Sequence, residues 1–164
     1  MRSDRPQRER LKRTPEGELR SYIDRLDLKN QKLVRSVRAA VRKLFPTANE
    51  LAYDYKRFCV IAYSPTHRGI DAIVALAARD TGVFLYFSQA PQLPDPKRIL
   101  QGSGKQARFV QIEAASRLAH PDLKALIAAT IDQARIPLPS TGKGSLIVIK
   151  TAAAKKRPRR KPTK

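Results

Sequence analysis

The residues best suited to chemistry in this 164-residue chain lie at positions 93–108, where glycines and basic residues are interleaved. Backbone N–H groups around Gly102 and Gly104 can form a concave nest for an anion, and nearby basic side chains can add positive charge. A structural turn is the alternative interpretation of this spacing. The predicted anion-binding residues are Lys97, Arg98, Gly102, Gly104, Lys105 and Arg108. We expect Gly104 to adopt a backbone conformation that only glycine tolerates easily, with Lys105 and Arg108 facing one shared spot.

This turn differs from a nucleotide-binding P-loop. Ile99 stands where that motif needs its first glycine, and Gln106 follows the lysine where the motif needs Ser or Thr. The segment also leads into a predicted strand rather than a helix. The sequence therefore excludes nucleotide hydrolysis of the P-loop type.

Positive charge is the clearest functional signal, because the chain carries a net charge of +20. The last ten residues hold seven Lys or Arg and no acid, which favours contact with phosphates. Basic residues also recur at helical spacing on one side of a predicted helix, where a solvated face is the alternative interpretation. The predicted nucleic-acid contacts are Arg35, Arg38, Arg42, Lys155, Lys156, Arg157, Arg159, Arg160 and Lys161.

Tyrosines are concentrated in the strand-rich middle of the chain. Tyr53, Tyr55, Tyr63 and Tyr86 are positioned to form a stacking surface on a sheet, as in proteins that bind single-stranded nucleic acid. Burial of these tyrosines in the core is the alternative. No RNA-recognition signature of the Lys/Arg-Gly-Phe/Tyr type is present.

No catalytic or metal-binding constellation is evident. His67 and His120 have no ligand-type partner at zinc or iron spacing, and the lone Cys59 lies in an apolar strand pattern. We therefore predict no catalytic residue, no metal and no cofactor, and favour a non-enzymatic protein. No apolar run has transmembrane length, and no apolar segment follows the charged N-terminus, so we expect a cytoplasmic location.

The chain resembles the YdhG-like bacterial domain family, a domain of unknown function, over residues 17–149. The matching pieces are Phe45-Pro46, Glu50, Val83-Phe84-Leu85-Tyr86-Phe87, Leu93-Pro94-Asp95-Pro96, Leu100, Gly102-Ser103-Gly104-Lys105 and Arg108. The resemblance implies a small α+β domain, remotely frataxin-like, with relatives linked to iron handling. Many relatives carry His after the arginine, where this chain has Phe109, so a histidine-dependent role does not transfer.

The hydrophobic periodicity predicts the elements that position these residues. Helices are expected from Thr14-Pro15, over 28–44 and from Pro121, and a short helix is expected to begin at Asp95-Pro96 and end at Gly102. Apolar strand patterns occupy residues 51–55, 58–64, 70–79, 83–88, 108–113 and 145–150.

Together these patterns predict an α+β domain over 15–150, with disordered basic tails at 1–14 and 151–164. The sheet should be antiparallel, with five to six strands and helices packed on one face. The favoured function is a binding module with weak, non-specific affinity for nucleic acid or another polyanion. Two alternatives stay open: a frataxin-like iron or iron–sulfur accessory protein, and a binder of small anionic ligands at the Gly102–Lys105 turn. The oligomeric state is not encoded in any pattern of this sequence.

Overall fold

The computed structural model describes residues 14–150, which form three α-helices and one six-stranded sheet. The helices are α1 (Pro15–Ile23), α2 (Leu28–Leu44) and α3 (Pro121–Asp132). The strands are β1 (Asn49–Asp54), β2 (Cys59–Ser64), β3 (Val74–Arg79), β4 (Gly82–Ser88), β5 (Ala107–Ile112) and β6 (Leu146–Ile149). The predicted α+β class is confirmed. The tails predicted at 1–14 and 151–164 lie outside the described residues, apart from Thr14.

The first two helices begin at the capping residues that precede them in sequence. Oγ1 of Thr14 accepts a hydrogen bond from the Gly17 amide at 3.0 Å, and Pro15 fills the first helical position. Asp27 caps α2 in the same way and accepts from the Asn30 amide at 2.8 Å. The local chemistry of these residues is therefore sufficient to place both helix starts.

The strands lie in the order β5-β4-β3-β2-β1-β6. The first five are antiparallel to their neighbours, whereas β6 pairs in parallel with β1. The sheet is therefore mixed rather than purely antiparallel. The apolar segment at 145–150 extends the edge of its own sheet.

All three helices pack on one face of the sheet. This helix-covered face contributes Ile61, Leu76 and Leu85 to a continuous core with residues of the helices. Side chains alternate along a strand, so Ala77 and Phe84, the neighbours of Leu76 and Leu85, point to the other side. No α-helix of the described residues packs on that second side, which we call the open face, although Gly69 lies against the Tyr53 hydroxyl there.

The structure corrects the predicted strand at 70–79, which begins only at Val74. The residues before it form a short 3₁₀ helix at Gly69–Asp71, held by a hydrogen bond from the Ala72 amide to the Gly69 carbonyl at 3.1 Å. Ile70, whose apolar side chain extended the strand pattern, is 80 % exposed. Hydrophobicity alone therefore overstated the length of this strand.

The predicted short helix after Asp95 is also wrong, although Asp95 does bind backbone amides, four and five residues ahead rather than the two or three of a helix N-cap. Its carboxylate accepts hydrogen bonds from the amides of Ile99 and Leu100, at 2.9 and 3.0 Å. Arg98 has a φ of 52°, in the left-handed region, so the backbone leaves helical geometry after one turn. The carboxylate binds backbone amides without a helix to follow it.

Candidate functional site

The predicted anion-binding turn does not converge on one pocket. Lys105 lines an open cleft of about 470 Å³, together with Arg135 after the end of α3. None of the other five predicted residues lines that cleft, and Arg108 is half-buried on the strand that follows. The assignment of an anion to this turn remains a prediction, and the structure limits it to Lys105 with a new neighbour, Arg135.

Glycine is required in this turn for a different reason from the one predicted. The left-handed conformation falls at Gly102, with a φ of 96°, and not at Gly104. A Cβ atom at position 104 would lie 2.3 Å from the backbone carbonyl oxygen of Ala107. Gly104 is therefore needed because two stretches of backbone approach each other closely.

The predicted basic face of α2 is largely occupied by ion pairs within the protein. Arg35 pairs with Asp24, while Arg38 and Arg42 both contact Glu16 and Glu50. We expected Arg38 to point away from the core, but it does not. It lies one helical turn from both Val34 and Val41, which are fully buried. The nucleic-acid role of these arginines remains a prediction, but part of their charge is neutralised.

Arg38 and Glu50 form a buried ionic network that the sequence did not reveal. The guanidinium donates to Glu50 through Nε at 2.8 Å and Nη2 at 2.9 Å. It also donates to Glu16 through Nη1 at 3.0 Å and Nη2 at 2.9 Å. The hydroxyl of Tyr63 donates to Glu50 at 3.1 Å. Every strong donor and acceptor in this cluster is therefore satisfied.

The charges of this network set the protonation of its members. Burial by itself would lower the pKa of Arg38, but its hydrogen bonds to Glu50 and Glu16 raise that pKa overall, so the guanidinium stays charged. The hydrogen bond from Arg38 holds the pKa of Glu16 below its usual value. Burial raises the pKa of Tyr63 well above its usual range, and the nearby Glu50 charge adds to this. The complete hydrogen bonding of these buried side chains indicates that the network has a structural role.

The predicted tyrosine surface exists in part, on the open face. Tyr53, Tyr55 and Tyr86 lie there, but Tyr63 is 0 % exposed and belongs to the helix-packed core. Tyr63 therefore follows the alternative interpretation, burial in the core. It pairs with Glu50, and side-chain alternation puts both on the opposite side of the strands from Tyr53.

Three phenylalanines complete the open face, and the sequence analysis did not assign any of them to the stacking surface. We call the following six rings the aromatic face: Tyr53, Tyr55, Phe58, Phe84, Tyr86 and Phe109. Strand alternation could have found Phe84, because it is two residues from Tyr86 in β4. Assigning Phe109 to this face requires the register between β4 and β5, because Phe109 lies there as the direct partner of Tyr86.

The rings form two groups in contact. Tyr55 stacks on Tyr53 and on Phe58, with centroids 6.3 and 4.9 Å apart and interplanar angles of 22° and 12°. In the second group, Phe109 lies 5.6 Å from Phe84, edge to face, and 5.1 Å from Tyr86.

Arg79 joins the two groups. Its guanidinium carbon lies 4.8 Å from the Phe58 centroid and 5.9 Å from the Phe84 centroid. The side chain donates to the Tyr86 hydroxyl at 3.4 Å, and its buried Nε has no hydrogen-bond partner. No carboxylate among the described residues pairs with it, so the aromatic face carries one uncompensated positive charge at its centre.

The remaining reactive side chains do not assemble into a site. Cys59 is 1 % exposed, and burial raises the pKa of its thiol to about 11, so the thiol stays protonated. Nδ1 of His120 accepts a hydrogen bond from the Asp122 amide at the start of α3. Within residues 14–150, no group of three or more His, Cys, Asp or Glu side chains is arranged to hold a metal ion. In the same range, no helix combines the length and apolar character needed to span a membrane.

Comparison with known proteins adds no assignment to this geometry. No family model, no curated protein and no solved structure matches the chain. The resemblance to the YdhG-like family thus rests on the sequence pieces quoted above and remains a prediction.

Proposed function

We propose that this chain is a non-enzymatic, cytoplasmic binding module with weak and sequence-independent affinity for nucleic acid. The observation that carries the proposal is the surplus of positive charge. Residues 151–164 contribute +7, residues 1–13 contribute +4, and residues 14–150 contribute +9 to the total of +20. Such a surplus attracts polyanions and releases counterions from their phosphates.

The C-terminal segment is the main contact in this proposal. It contains seven Lys or Arg in its last ten residues and no acid to compete with phosphate. Arg35, Arg38 and Arg42 have a smaller part than their spacing suggests, because each already pairs with a carboxylate. Because ion pairs neutralise these three arginines, the proposal gives the larger part to the segment after Lys150, which has seven Lys or Arg and no acid in its sequence.

Removal of residues 152–164 tests this assignment. If most of the seven charges contact phosphates, the slope of log affinity against log salt should fall by about 4–6 units on duplex DNA, at about 0.9 per phosphate. Binding isotherms over a salt series measure that slope. The midpoint of urea unfolding should not change, because every residue of the described core is retained.

A chain of full length with its seven tail Lys and Arg replaced by Gln is the matched control. It should lose the same part of the salt slope, because charge and not length is responsible. If the truncated protein retains the full salt slope, the phosphate contact lies on the body and the tail assignment is wrong.

A small anionic ligand is the second candidate, and the cleft beside Lys105 favours it. Lys105 and Arg135 line this cleft with Asp71, Ser88 and Gln133, so a compact anion would meet two cations, one carboxylate and two polar side chains there. Inorganic phosphate at ten times its dissociation constant should then add about 1.4 kcal/mol to the unfolding free energy. Thermal unfolding with and without phosphate measures this gain. The gain should be lost in Lys105→Ala and kept in Lys97→Ala, and an equal gain in both variants would exclude the cleft.

A further inference from the structure

We infer that the aromatic face is a stacking platform for the bases of single-stranded nucleic acid. This inference rests on the proposed function and specifies which nucleic acid the chain prefers. The observation behind it is that six aromatic rings, Tyr55 exposed and the other five half-buried, share with one guanidinium a sheet face on which no α-helix of the described residues packs.

The shape of the open face suits planar ligands. Its central side chains on β2 and β3 are small, namely Val60, Ala62, Ala75 and Ala77, and of these Val60 and Ala75 are half-buried while Ala62 and Ala77 are buried, as is Leu51 beside them on β1. The two ring groups flank this centre, with Tyr53 and Tyr55 on β1 and its turn, and Phe84, Tyr86 and Phe109 on β4 and β5. From β1 to β5 the sheet spans four strand spacings, about 19 Å. Sheets of similar width stack two or three bases on their aromatic side chains.

The chemistry of the face favours bases over a purely apolar partner. Every base has a π face that can stack on an aromatic ring, whatever the sequence. Arg79 adds a positive charge between Phe58 and Phe84, and the tyrosines add hydroxyl groups that can meet base edges. A partner that combines flat rings with negative charge matches this set.

Exposed charges of both signs lie at the end of the sheet where phosphates would follow the stacked bases, with three cations set against the carboxylates of Asp80 and Glu113. Lys56 and Arg57 form the turn between β1 and β2, directly between Tyr55 and Phe58, and both are exposed. Because β6 is parallel to β1 and Ile149 pairs with Tyr53, Lys150 lies at the same end. The seven tail charges follow Lys150 in sequence. The proposed phosphate contact therefore begins, in sequence, directly after a residue at the same end of the sheet as Lys56 and Arg57.

A second copy of the chain is a poorer occupant. A symmetric pairing of two open faces brings each Arg79 toward its equivalent without an acid to separate them. Each chain also carries +20, so association must overcome mutual repulsion. Binding of a polyanion involves neither the approach of two Arg79 side chains nor the repulsion between two positively charged chains.

Leucine substitutions on the two ring groups test the inference. Tyr55 is 47 % exposed, so Tyr55→Leu should fold normally, and Phe109→Leu keeps an apolar side chain on the second group. Each variant should bind an oligo-dT strand of about 15 nucleotides roughly 5- to 100-fold more weakly, by the usual loss of one stacked base. Affinity for a duplex of equal length should be unchanged. Fluorescence anisotropy of the labelled strands measures both affinities.

Two control variants separate stacking from general effects of substitution. Tyr55→Phe retains the ring and should retain the affinity for oligo-dT. Leu28→Ala removes an exposed apolar side chain from α2, where Leu28 is 73 % exposed, and should change neither affinity. A stacking role requires that only the variants lacking a ring lose affinity.

The possible failures can be told apart. If the intact chain binds oligo-dT and duplex but both leucine variants match it, the stacking platform is wrong and the proposed function stands. If the intact chain binds neither strand at low salt, the proposed function itself fails. If sedimentation shows that the leucine variants convert a dimer to a monomer without weakening oligo-dT binding, the open face is a self-association surface and the inference is overturned.

Discussion

Replacement of Glu50 by alanine is expected to lower the unfolding free energy by about 3–5 kcal/mol. The side chain of Glu50 is 5 % exposed and that of Arg38 is 13 % exposed, so solvent screens their interaction only weakly. Without Glu50, Arg38 loses its two inner hydrogen bonds, and the buried Tyr63 hydroxyl loses its acceptor. Urea unfolding at neutral pH measures the effect. A loss below about 1 kcal/mol would contradict a structural role for this network.

Glu16→Gln is the matched control, because Glu16 binds the same guanidinium from the solvent side and is 56 % exposed. Its loss should cost no more than about 1 kcal/mol. The pKa of Glu16 is lowered in the folded protein, so its contribution is present above its usual pKa of 4.5. The contribution should disappear as the pH falls through the lowered pKa, and the variant and wild type should then be equally stable.

The second large effect is expected for Gly144→Ala, which should destabilise the protein by about 1–3 kcal/mol or more. A Cβ atom at this position would lie 1.7 Å from the carbonyl oxygen of Ala48, so the backbone itself must move. Gly144 also donates to the Pro46 carbonyl at 3.1 Å and leads directly into β6. Its substitution should therefore loosen the pairing of β6 with β1.

Amide hydrogen exchange distinguishes this local effect from general destabilisation. In Gly144→Ala, exchange should accelerate first at residues 146–149 and at their β1 partners. Lys143→Ala is the control, because the neighbouring Lys143 is exposed, and it should stay within about 0.5 kcal/mol of wild type. Normal protection of β6 in Gly144→Ala would mean that the close approach to Ala48 relaxes easily.

The elements that sequence reasoning placed well are those with strong local chemistry. Thr14-Pro15 and the 28–44 periodicity located α1 and α2, and Pro121 located the start of α3. In each case a cap, a helix-starting proline or a repeated apolar spacing acts within a few residues. Such signals need no information about the rest of the fold.

The errors concern features that depend on distant parts of the chain. Asp95 has the chemistry of a helix cap, yet Arg98 leaves helical geometry, and no local pattern predicted that turn. Gly104 is constrained by the approach of Ala107 rather than by its own φ angle. Arg38 was assigned to a solvated face because its buried partner, Glu50, lies 12 residues away in a strand.

The candidate site was predictable only in outline. Three of the four tyrosines named from the sequence lie on the open face, whereas Tyr63 required the side of each strand to be known. Phe58 and Arg79 are brought together by the register between β2 and β3. That register cannot be deduced from the amino-acid composition. The grouping of rings around one guanidinium is therefore a property of the folded sheet.

Nucleic-acid binding by the intact chain is the central claim, and fluorescence anisotropy at low salt tests it most directly. The experiment compares a labelled single strand with a duplex of the same length, titrated with the intact protein. Both should bind with dissociation constants of about 10⁻⁶ M or tighter, with the single strand bound more tightly. Failure of the intact chain to bind either strand under these conditions would contradict the central claim.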